Sequence, residues 1–115
     1  MPRKPTQWHG EKGAALTVEF VKMIPAFIAS LDTRRSRNTG EILVRCSEIR
    51  PLAEKHGFIR IPNKVMSIAM IAAGGKHHAF GNGASNYIFE GCYRKVDLIT
   101  STTARVAQYI KQEIV

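Results

Sequence analysis

The sequence predicts an α+β fold in the order helix, strand, two helices and β-hairpin, with an N-terminal helical extension and a C-terminal helix. Three observations predict it. The run Glu41-Ile42-Leu43-Val44-Arg45-Cys46 has strand composition. Helical apolar spacing follows on both sides of Gly57. From Lys76 to Tyr93 the chain carries a hairpin signal, with Gly81-Asn82-Gly83 at its tip.

Residues 1–13 are polar, basic and rich in Pro and Gly, the composition of a loose arm that orders against a partner. Trp8 is the exception, expected to pack on its own domain or a dimer mate. Residues 14–115 form one domain. Ala14 to Leu31 is apolar: Leu16, Val18 and Phe20 alternate, while Phe20, Met23, Ile24, Phe27, Ile28 and Leu31 keep helical spacing. A helix is expected, with Pro25 kinking it or dividing it into an extension and a first domain helix, because proline lacks a backbone donor and clashes one turn back. Arg34-Arg35-Ser36-Arg37-Asn38-Thr39-Gly40 then forms the densest cationic segment, a loop suited to phosphate.

After the strand, Ser47 is a plausible N-cap and Glu48 an acidic first-turn residue for a helix reaching about His56, ended by Gly57. Pro62 suits a first helical turn, and Asn63 to Ala73 continues until Gly74-Gly75. Asn86 to Tyr93 is the returning strand. Its aromatics Tyr87, Phe89 and Tyr93 alternate on one face and are expected in the core rather than stacking on RNA bases. Asp97 to Val115 is expected as an amphipathic helix, capped by Ser101 or Thr102, with Ala104, Val106, Ala107, Tyr109, Ile110 and Ile114 as its apolar stripe.

Charge narrows the function. Lys and Arg number 17 against 9 Asp and Glu, a net charge of +8, and the pI is near 9.9. That excess favours a polyanion, nucleic acid ahead of an anionic membrane surface. The two cysteines, Cys46 and Cys92, have neither metal-hook spacing nor the density of a secreted disulfide scaffold, and read as free thiols in a reducing cytosol. The basic N-terminus lacks an apolar leader core and no apolar run is of spanning length, so the expected location is cytoplasmic.

Ala53 followed by Gly57 fits a close helix crossing and a glycine turn, with Ile49, Leu52, Phe58, Ile61, Val65, Ile68, Ala69 and Ala72 as the packed side of the pair. On these residues the segment from Pro25 to Val96 resembles winged helix-turn-helix DNA-binding domains at the level of fold. The resemblance implies that the second helix of the pair enters the major groove and that the hairpin reaches backbone or minor groove. Mapped onto this chain, it sets Asn63, Lys64 and Ser67 at base edges, asparagine being able to pair bidentately with adenine. Lys76, His77, His78, Asn82, Ser85 and Asn86 fall on the wing, while Arg60, Arg34, Arg35 and Arg37 meet phosphate.

The segment Val65 to Ala73 is apolar nearly all round, as in buried helices. Either its first turn alone touches DNA, or it packs against a second chain. Other chemistry finds little support. His77-His78 with a cysteine lacks zinc-ligand spacing, Gly75-Lys76 does not complete a phosphate-binding loop, and Gly81-Asn82-Gly83 lacks the context of a dinucleotide fingerprint. The carboxylates are scattered. The expectation is a non-enzyme without cofactors or metals: a homodimeric, sequence-specific binder of double-stranded DNA, serving transcriptional regulation or plasmid or phage replication or partition. The dimer would use the two terminal helices. An RNA-binding basic domain and a protein-interaction module are the alternatives.

Overall fold

The computed structural model describes residues 7–32, 34–35, 40–78 and 86–114. They form an α+β fold: α1 (Gly10–Ala29), β1 (Arg34–Arg35), β2 (Glu41–Arg45), α2 (Cys46–Lys55), α3 (Asn63–Ala72), β3 (Lys76–His78), β4 (Asn86–Glu90) and α4 (Lys95–Ile114). The sheet is antiparallel in the order β1-β2-β4-β3, three strands with a two-residue edge strand added. Ile42 lies opposite Phe89 and Val44 opposite Tyr87. All four are buried, so this face of the sheet closes the core.

α1 is a single helix with Pro25 inside it, not two pieces. Proline in a helix interior costs about 3 kcal/mol. Phe20, Val21, Ile24, Phe27 and Ile28 flank it and are all buried, and each such side chain gains about 1.5–3 kcal/mol on burial. Packing on both sides of the proline therefore outweighs the lost bond.

The expected loose arm does not extend over residues 7–13. Gly10 to Gly13 already belong to α1, and Trp8 is buried in its own domain, its ring edge-on to Phe20 at 6.0 Å and tilted on Phe58 at 6.3 Å. The indole N–H donates to the carbonyl of Ile59 at 2.8 Å.

The cap assigned to Ser47 is overturned, because β2 pairs with β4 up to Arg45, opposite Asn86, and α2 starts at once with Cys46. The Glu48 carboxylate instead accepts the Arg45 backbone N–H at 3.4 Å. Ala53 is fully buried and Gly57, at φ +89°, turns the chain toward α3. Met66 and Met70 join the expected packed side.

α4 begins before the expected caps. The Asp97 carboxylate accepts the Arg94 backbone N–H at 2.9 Å, and Thr102 is buried mid-helix, its hydroxyl donating to the Ile99 carbonyl at 3.1 Å. Leu98, Thr102 and Val106 form the covered stripe, with Tyr109 and Ile110 half-buried beside the core, whereas Ala104 and Ala107 are exposed. This stripe packs on α1. The two helices expected to build a dimer interface thus cover each other within one chain.

Among the described residues, no helix is long and apolar enough to cross a membrane. Both cysteines are free and buried.

Candidate nucleic-acid interface

The joint between α2 and α3 is organised by Arg50. This half-buried side chain leaves α2 and donates from Nη1 to the Ile61 carbonyl at 2.7 Å and from Nη2 to Asn63 Oδ1 at 2.8 Å. It ties α2, the turn and the start of α3 into one unit. Cys46, Ser47, Arg50, Asn63, Met66 and Tyr87 line a cleft of about 180 Å³ there. Burial pushes the Cys46 thiol up, the nearby Arg50 charge opposing this only in part.

Tyr87 connects the cleft to the hairpin. The His77 ring sits edge-on to Tyr87, centroids 5.3 Å apart, and Lys76, His77 and His78 are all exposed along β3. Lys76 is ion-paired with Glu90 at 2.9 Å, which offsets its charge toward phosphate. Arg60 is exposed in the turn and has a left-handed backbone, φ +53°, the one non-glycine residue so placed among those described. Such strain marks positions where the surroundings dictate the backbone.

The expected set divides. Asn63 faces the Arg50 cleft, but Lys64 and Ser67 line a different groove, with Ile68, Ile71, Ala72 and Tyr109, of about 390 Å³. Ile71 is 58% exposed in it, so the outward face of α3 is mostly hydrocarbon beyond its first turn. Burial and then the neighbouring Glu113 raise the pKa of Tyr109. Asn86, expected on the exposed wing, is buried where β4 is sandwiched between β2 and β3. Tyr87 and Phe89 are core, whereas Tyr93 is 62% exposed, having left the strand.

Arg34 and Arg35 lie on β1, at the sheet edge opposite β3, so one compact surface does not gather the arginine segment and the hairpin cations. Arg37, Asn82, Ser85 and the hairpin tip lie outside the described residues. Sequence reading missed Arg50 and Ser47. They stand three apart on the polar side of α2, a spacing that places both over one groove. A third cleft, of about 290 Å³, includes Asp32 and Glu48 beside Arg45, a poor lining for phosphate. Among the described residues no three His, Cys, Asp or Glu side chains gather as metal ligands.

No family model matches this chain, and neither the curated proteins nor the solved structures yield a match.

Proposed function

We propose that the chain binds double-stranded DNA as a winged helix-turn-helix protein. The observation that carries this reading is the donor-lined cleft of Ser47, Arg50 and Asn63 where α3 begins, joined through Tyr87 to the exposed His77 and Lys76 of the hairpin. The element order helix, strand, two helices and hairpin agrees with it, as does the net charge of +8. In this arrangement only the first turn of α3 meets the duplex. Arg60 contacts phosphate and Lys64 flanks a base edge. Sequence-specific regulation, or replication or partition of a plasmid or phage, is the role such a module serves. Because α1 and α4 contact each other within one chain, the reading does not rest on a dimer through these helices and does not require palindromic half-sites.

Fluorescence anisotropy with duplex DNA, single-stranded DNA, duplex RNA and single-stranded RNA, at several salt concentrations, tests it. Duplex DNA should bind tightest, with a steep salt slope. Arg60→Ala should weaken all duplexes alike, and Lys64→Ala should also relax preference among sequences. Absence of binding to any of the four overturns it. A second reading, a protein-interaction module, draws on the apolar groove between α3 and Tyr109. Its signature is partner binding that moderate salt leaves unchanged.

A further inference from the structure

Resting on the duplex-DNA reading, we infer that Arg50 orients the Asn63 amide so that its NH₂ group donates to a backbone phosphodiester rather than pairing with adenine. A guanidinium carries N–H donors and no acceptor. The amide atom facing Arg50 Nη2 at 2.8 Å is therefore Oδ1, an orientation that chemistry fixes. Bidentate pairing with adenine needs that same oxygen to accept from the base N6 while the amide nitrogen donates to N7. Arg50 holds one of the two lone pairs of Oδ1 and so fixes which way the amide is turned, with the NH₂ group as its free donor.

The rest of the cleft has matching chemistry. Arg50 spends one N–H on the Ile61 carbonyl and one on Asn63, which leaves further N–H groups to donate. Both partners are neutral, and among the described residues no ion pair involves Arg50, so its charge has no carboxylate in contact. Ser47 adds a hydroxyl on the cleft wall. Several donors around an uncompensated positive charge select an anionic, acceptor-only group. In duplex DNA that group is the phosphodiester; base edges are neutral.

The test compares the wild-type chain with Asn63→Asp and Arg50→Gln on two duplexes, one of alternating A·T pairs and one of alternating G·C pairs. In Asn63→Asp a carboxylate oxygen still accepts from Arg50, and an acid suits the first helical position, so the fold persists, as a thermal melt by circular dichroism checks. The outward donor becomes an acceptor facing phosphate. Affinity should fall about tenfold, and equally, on both duplexes. Arg50→Gln should also lower the slope of log affinity against log salt by about one. A loss confined to the A·T duplex overturns the phosphodiester contact in favour of adenine readout, as does unchanged binding of Asn63→Asp to both. Failure of the wild-type chain to bind either duplex overturns the DNA reading itself.

Discussion

The indole of Trp8 donates to the carbonyl of Ile59 across 51 residues of sequence. Gln7 Nε2 reinforces the link with bonds to the Gly57 and Ile59 carbonyls, both at 3.3 Å. The segment before α1 thereby holds the turn between α2 and α3, the same turn whose other side Arg50 holds through Ile61. Trp8→Phe keeps the ring contacts and loses the bond, which should cost about 1–2 kcal/mol. Trp8→Ala should cost about 3–5 kcal/mol. Urea unfolding followed by circular dichroism checks both values, since the chain's single tryptophan is removed.

Gly13 should resist substitution although it lies inside a helix, where alanine ordinarily stabilises. A Cβ at this position would stand 2.0 Å from the Trp8 carbonyl oxygen, which is backbone and cannot swing aside. Gly13→Ala must displace the Trp8 turn and so lose much of the indole's burial, at about 2–4 kcal/mol. A melting temperature equal to or above that of the parent would refute this.

Arg60 separates stability from binding. Its left-handed backbone costs an L-residue about 1 kcal/mol, which glycine avoids. Arg60→Gly should therefore gain up to about 1 kcal/mol, offset in part by the freer unfolded chain. Duplex affinity should fall in the same variant, alike for all sequences. Chemical denaturation and anisotropy on one preparation would show the opposite signs.

Asp97 makes the start of α4 sensitive to acid. The hydrogen bond from the Arg94 side chain, first, and the Arg94 backbone N–H hold its carboxyl below the usual carboxylate range, against a smaller effect of desolvation. A folded-state pKa below the unfolded value means that the stabilisation is complete above the ordinary value, about 3.9, and is lost as pH falls through the folded-state pKa. Helicity should decline over that window in the parent, and Asp97→Asn should lack that part of the decline. Acid titration by circular dichroism of the two chains measures the difference.

Local features were legible in the sequence where local chemistry decides them. Ile42 and Val44 alternate as a half-buried strand does, and Ala53 with Gly57 marks a close crossing and a turn whatever lies farther off. Long-range partners decided the rest. Periodicity shows that α4 has an apolar stripe, but not that α1 covers it. The start of α1 escaped because Trp8 finds its partners near residues 58 and 59. At the candidate site, no local pattern shows that Asn63 pairs with Arg50, a side chain 13 residues earlier.

The covering of α1 by α4 also orders events in time. Phe20, Ile24 and Ile28 emerge with α1 and need shelter, and part of that shelter, α4, is made only after β4. β2 likewise waits for β4 across α2 and α3. Closing such distant pairs slows folding relative to a bundle built from neighbours. A nascent chain stalled before Lys95 should stay sticky and chaperone-bound, and acquire its cooperative unit only when α4 arrives.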